Sequence, residues 1–301
     1  MTQDGEQVMT NLAAQPFDNA PIGVFDSGFG GLTVASEIAK ALPHESIVYL
    51  GDSARCPYGP RDLAEVDGFV QQITSWLVGR KVKMIVIACN TATAAGLVHA
   101  QQTLNIPVIG VIEPGARAAV ATTRNRRVGV IATKGTIDSG AYTEAIRAID
   151  PQITVFSVPT PRFVIIAEQG IRMAQGPIES YTSLASKVYI RPEFEEIARE
   201  YLIPLTQCNI DTLVMGCTHF PLIKTLIGGV VGHDVTLISS AEEAARDASA
   251  VLAERGQCAS PDAVPTYEFY TTGNDIEEFR SFGSRAFLHE LENVFHVDLP
   301  E

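Results

Sequence analysis

Short β-branched apolar runs alternate along the chain with stretches whose apolar residues recur at helical spacing. The runs at 22–25, 47–50, 84–88, 107–111, 128–132, 154–158, 212–216 and 235–238 are continuously apolar. That is the pattern of parallel strands covered on both faces. Helical periodicity marks 32–41, 63–78, 115–122, 139–149 and 193–205 between them. In the last of these, Phe194, Ile197, Ala198, Tyr201 and Leu205 fall on one face. Pro192 sits where a helix's first turn tolerates a missing N–H. The alternation predicts an α/β protein built from doubly wound parallel sheets.

The chain also resembles itself. IVIACNTA (85–92) is similar to LVMGCTHF (213–220), PIGVFDSG (21–28) to RVGVIATK (127–134), and VIGVIEPGARAA (108–119) to VTLISSAEEAARDA (235–248). Three matches in one order predict two similar units facing each other across a cleft, where open α/β sheets bind ligands at strand C-termini. The second unit carries about 22 more residues before its cysteine, and the weakly periodic stretch 171–191 is the place for them.

Composition narrows the function. A net charge of −13 argues against nucleic acid, and the one basic cluster, Arg124-Asn125-Arg126-Arg127, reads as a solvated turn. No apolar run reaches the roughly 18–20 residues of a membrane span. Residues 1–20 lack the basic and apolar regions of a signal peptide and read as a flexible leader. Five cysteines, with no CxxC pair, point away from a disulfide framework and toward a reducing cytoplasm.

Cys89 and Cys217 each end a strand where the chain turns into a helix or tight turn. Amides at a helix N-terminus stabilise a thiolate, so the position lowers a thiol's pKa. Two thiols from opposite halves suit inversion at a carbon: one takes a proton from one face, the other delivers one to the opposite face. His219, two residues past Cys217, is placed to hold or relay a proton, or is an ordinary core histidine. Asp26 is either a carboxylate beside Cys89 or a plain helix N-cap, and Ser27 offers a hydroxyl. Gly28, Gly30 and Gly31 fail the dinucleotide pattern because Thr33 stands where its last glycine belongs. Cys89, Cys217 and His219 as zinc ligands stay open as a rival, although Cys-x-His spacing is unusual. No lysine sits in an evident pyridoxal motif.

Seven stretches carry a resemblance: DSGFGGLTV (26–34), GDSARCPYG (51–59), ACNTAT (88–93), GVIATKGT (129–136), GCTHFPLI (216–223), FYTTG (269–273) and HVDL (296–299). In order and register they resemble the glutamate racemases, cofactor-independent enzymes of the aspartate/glutamate racemase superfamily. The resemblance implies interconversion of L- and D-glutamate for peptidoglycan, with no cofactor and no metal, in a cytoplasmic homodimer. It makes Cys89 and Cys217 the acid/base pair, assisted by Asp26 and His219. Ser27, Asn90, Thr91 and Thr218 match substrate-binding positions, and Pro57, Tyr58 and Gly59 a loop lining the site. Thr136 and Thr133 match a contact turn of the second unit, and Glu168 an auxiliary acid. It further implies interleaved domains, 21–115 with 226–301 and 116–225. The insertion at 171–191, Thr160-Pro161-Arg162 and Cys56 depart from the family pattern. Aspartate racemase, and a binding protein that kept the fold without turnover, are the rivals.

Overall fold

The computed structural model describes residues 17–174, 176–178, 187–189 and 191–300. Among them ten strands form two wholly parallel sheets. The first unit has β1 (Ile22–Asp26), β2 (Ile47–Gly51), β3 (Met84–Ile87), β4 (Val108–Gly110), β9 (Tyr267–Thr271) and β10 (Val294–His296), ordered 10-9-2-1-3-4. The second has β5 (Arg127–Ala132), β6 (Thr154–Pro159), β7 (Thr212–Gly216) and β8 (Thr236–Ser239), ordered 6-5-7-8. The order 2-1-3-4 therefore recurs as 6-5-7-8. The stretches that resemble each other in sequence occupy equivalent strands.

Central strands are covered on both faces, as continuous apolar runs require. Ile22, Val24, Met84 and Val86 join one apolar cluster, while Phe25, Ile85 and Ile87 join the other. Each side chain so buried contributes roughly 1.5–3 kcal/mol. The edge strand β6 differs: its TVFSVP run is exposed or half-buried throughout. An apolar run alone does not distinguish an edge from a centre.

The strands β9 and β10 were absent from the apolar pattern because Glu268 and the solvated tail dilute it. Their inward residues Phe269 and Val294 are nevertheless buried. The helix expected at 139–149 runs Ala141–Ile149, and a separate short helix that the pattern did not mark, Lys134–Asp138, precedes it. Gly140 breaks them at φ +71°, a conformation costly for other residues. The helix expected at 193–205 runs Pro192–Gln207 and buries Phe194, Ala198, Leu202 and Leu205, with Pro204 in its last turn.

Two boundaries differ from expectation. β8 pairs with β7, so the chain stays with the second sheet through Ser239 and does not leave it near 225. Residues 17–20, expected to belong to a flexible leader, are tied down. The Asp18 N–H donates to the Cys258 carbonyl, and the Ser260 N–H donates to Asn19 Oδ1. Buried Lys83, paired with Glu45, donates to the Asp18 carbonyl. Residues 1–16 of that leader lie outside the described residues. So do 175, 179–186 and 190 of the insertion, whose described start belongs to the helix Pro161–Met173. No described helix is long and apolar enough to cross a membrane.

Candidate active site

All strands of each sheet run in one direction, so the residues following β1, β3, β5 and β7 gather at the C-terminal edges. Cys89 is the N-cap of the helix Asn90–Thr103, and its Sγ accepts the Ala92 N–H at 3.5 Å. Cys217 opens a short 3-10 turn instead, its carbonyl accepting the Phe220 N–H. Only the first thiol therefore meets an α-helix N-terminus.

Both thiols line one narrow cavity of about 40 Å³. Ser27, Pro57, Tyr58, Gly59, Asn90, Thr91, Thr133, Thr218 and His219 line it with them, joined by Cys56 and Val164. Thr136 stands behind: its hydroxyl lies 3.2 Å from that of Thr91 and 3.1 Å from that of Thr133. Thr91 and Thr133 are themselves 2.9 Å apart, so three hydroxyls join the two units. The Gly135 N–H donates to the Gly59 carbonyl across the same seam at 2.9 Å. Cys208 lies elsewhere, its Sγ donating to the Pro204 carbonyl.

Asp26 is not the N-cap of the helix Leu32–Ala41, a position held by Gly31, but its carboxylate anchors the turn that leads into that helix. Its Oδ2 accepts the N–H groups of Gly28 and Gly31, the latter directly before the helix Leu32–Ala41. Its Oδ1 accepts from Thr218 Oγ1 at 3.5 Å, and its charge bears on Cys89. Cys89 Sγ lies 4.0 Å from Ser27 Oγ.

The electrostatics of the thiols overturn one expectation. Burial, and after it the charge of Asp26, pushes Cys89 well above the ordinary thiol range. The Ala92 amide pulls the other way and loses, because one N–H does not replace the hydration of a thiolate. Cys89 is thus held as the thiol. Cys56 is pushed up to about 12 by burial and Asp26.

His219 is buried, and burial alone would favour its neutral form. Its contact with Cys217 and the negative charge of Glu168 outweigh that and raise it to about 10. Its Nδ1 lies 3.8 Å from Cys217 Sγ and its Nε2 is 3.5 Å from Glu168 Oε1. The second distance suits an ion pair but forms no hydrogen bond, and Nε2 remains a buried donor without a hydrogen-bond partner among the described residues. One thiol faces a carboxylate and the other an imidazolium, so the two are electrostatically unlike.

Two supporting residues escaped the sequence reading. Tyr142, buried on the helix Ala141–Ile149, donates to Asn90 Oδ1 at 2.8 Å. This orients the amide and leaves Asn90 Nδ2 buried with no partner among the described residues. Asp52, fully buried, accepts from the hydroxyls of Tyr58 and Thr272 and from Arg55 Nε, and so holds the loop that carries Pro57-Tyr58-Gly59. Asp52 lies within the GDSARCPYG motif, which was its signal. Nothing in the sequence linked Tyr142 to Asn90.

The arrangement presents unsatisfied donors and hydroxyls around two thiols from facing sheet edges. It suits a small polar molecule bearing carboxylates, with a carbon between the two sulfurs. Comparison with known proteins agrees in kind. The sequence model of the Asp/Glu/hydantoin racemase family matches residues 22–248. A glutamate racemase of Exiguobacterium sibiricum is 46% identical over 274 residues, covering 91% of this chain and 94% of that one. The crystal structure of glutamate racemase isoform RacE1 from Bacillus anthracis superposes with a TM-score of 0.83 at 43% identity, covering 94% and 99% of the two chains. That of the Francisella tularensis enzyme, in complex with D-glutamate, gives 0.80 at 37% identity, covering 94% and 98%.

Proposed function

The chain belongs to the Asp/Glu/hydantoin racemase family and is an amino-acid racemase, and from that premise we propose that it interconverts L- and D-glutamate without a cofactor, using Cys89 and Cys217 as the two acid/base groups. The observation that carries this reading is the pair of thiols, one from each unit, lining a single cavity. A deprotonated thiol on one side takes the α-proton, and the thiol on the opposite side delivers its own to the other face. The reverse direction exchanges their roles.

The surrounding residues divide the work. Asp26 and His219 with Glu168 adjust the two thiols. Asn90, whose Nδ2 is a buried donor in want of an acceptor, binds a carboxylate together with Thr91 at the N-terminus of its helix. Ser27, Thr218, Thr133 and Thr136 supply hydroxyls, and Pro57-Tyr58-Gly59 closes the wall. In this reading a cytoplasmic homodimer supplies D-glutamate to peptidoglycan.

The test is incubation of the purified protein with L-glutamate in D₂O and no added cofactor. D-glutamate carrying α-deuterium is expected. No exchange at the α-carbon would leave only binding, and faster conversion of aspartate would reassign the substrate.

Tyr142→Phe is a milder test of how Asn90 is held. Losing one net hydrogen bond, roughly 0.5–1.5 kcal/mol, lowers kcat/KM for glutamate by about fivefold. Most of the change lies in KM, because the amide stays in place but is no longer oriented. Steady-state kinetics on the variant check this, with a thermal melt to confirm the fold.

A further inference from the structure

The cavity between the thiols is closed to the substrate proposed above. Its volume of about 40 Å³ holds about three waters at roughly 10–15 Å³ each, and an amino acid with two carboxylates is several times larger. Cys89 and Cys217 are 7% and 6% exposed. The two units therefore part when a substrate arrives, and the place where they part most easily is visible.

A wider opening of about 460 Å³ adjoins the cavity and shares Cys56 and His219 with it. Glu168, Asp275 and Glu278 put carboxylates on its wall. Arg172 is the sole arginine or lysine among the described residues that line it. Arg172 stands on the helix Pro161–Met173, beyond β6 of the second unit. Its Nη2 donates to Glu278 Oε1 at 2.7 Å, and its guanidinium lies 4.9 Å from the Phe282 ring centroid. Glu278 and Phe282 belong to the helix Ile276–Phe287, between β9 and β10 of the first unit. This pair spans the seam at the mouth of the site, with side chains 59% and 44% exposed. So exposed an ion pair adds little stability and parts readily. The three hydroxyls of Thr91, Thr133 and Thr136 and the Gly135–Gly59 bond are the tighter contact across the seam.

We propose that this opening is the substrate's way in and that Arg172 is its capture residue: the guanidinium releases Glu278 and takes one carboxylate of the incoming glutamate. A planar fork of donors is built for that exchange. Arg172 remains paired throughout, while the link that holds the two helices together is dissolved by the ligand itself. A protein of net charge −13 repels a dicarboxylate at long range, which makes one well-placed cation at the mouth count. The inference rests on glutamate being the substrate.

The experiment compares kcat/KM for glutamate in the unaltered protein, Arg172→Gln, Glu278→Gln and the double variant, each with a melting curve to confirm the fold. Arg172→Gln is expected to lower kcat/KM by about fivefold, with kcat within about twofold and a flatter dependence on ionic strength. Glu278→Gln is expected to raise it by about twofold, since it removes the charged carboxylate that the substrate must displace, and the gain disappears in the double variant. If both single variants move kcat/KM in the same direction, the pair is only a clamp and the proposal is overturned. It is equally overturned if Arg172→Gln changes nothing, or if the gain from Glu278→Gln survives without Arg172. Failure of the unaltered protein to turn over glutamate would instead defeat the substrate assignment.

Discussion

Cys89→Ser and Cys217→Ser each lower kcat/KM for glutamate by on the order of 10³ in both directions, whereas Cys208→Ser stays within about twofold. A hydroxyl is a far weaker acid than a thiol, so serine neither holds the proton to be delivered nor takes one readily. Both groups are needed in every turnover, because inversion uses opposite faces of the carbon. Loss of one is therefore not offset by the other. The sulfur-to-oxygen change alters little volume, and both variants keep melting temperatures close to the parent's. Polarimetric rates from each enantiomer decide the matter. Undiminished turnover in either variant would remove the two-base mechanism. Cys208 is the control because its Sγ donates only to the Pro204 carbonyl, away from the cavity.

The second large effect is expected from a residue that carries no chemistry. Gly30→Ala lowers kcat by about 10², with the fold retained. A Cβ at Gly30 would lie 2.5 Å from His219 Cε1, 2.6 Å from His219 Nδ1 and 2.7 Å from Thr218 Oγ1. Each of these is a side-chain atom that something must displace. The His219 ring yields first, edge-on to Phe29 at 5.3 Å between centroids, and its Nδ1 moves away from Cys217 Sγ. A displacement of about 1 Å in a positioned catalytic group costs about 10²-fold. The variant is measured for kcat and KM together and for thermal stability. A normal kcat with a folded protein would show that His219 does not need its present position. A severe loss of stability alone would place the effect in the fold.

The fold was legible from the apolar runs wherever a strand lies inside a sheet. β1, β3, β5 and β7 are central and carry continuous apolar runs, broken only at their ends by Asp26, Arg127 and Thr212, and their positions follow from that pattern. β9 escaped it because Glu268 interrupts the run, and the exposed edge strand β6 was read as covered because its residues are apolar in spite of their surroundings. The boundary near 225 was misplaced for a similar reason. Strand pairing, not composition, assigns β8 to the second sheet.

The site divides in the same way. That Cys89 and Cys217 would line one cavity was legible from the sequence, since each ends a matching strand of the repeated plan. Ser27, Asn90, Thr91, Thr218 and His219 came with them, being adjacent to those strand ends. Their surroundings did not follow. Tyr142 reaches Asn90 across 52 residues, and Asp52 holds Tyr58 through the carboxylate-to-hydroxyl bond that fixes the loop. Arg172 and Glu278 are 106 residues apart and meet only at the seam.

What the sequence determined by itself is the repeated α/β plan and the chemical identity of the residues that end its strands, because both depend on local pattern. What only the tertiary structure decided is the state of those residues. Cys89 is held as a thiol although it caps a helix, and His219 is held as a cation although it is buried. Each outcome is a sum of desolvation and charge over neighbours from distant parts of the chain, and that sum exists only once the chain has folded.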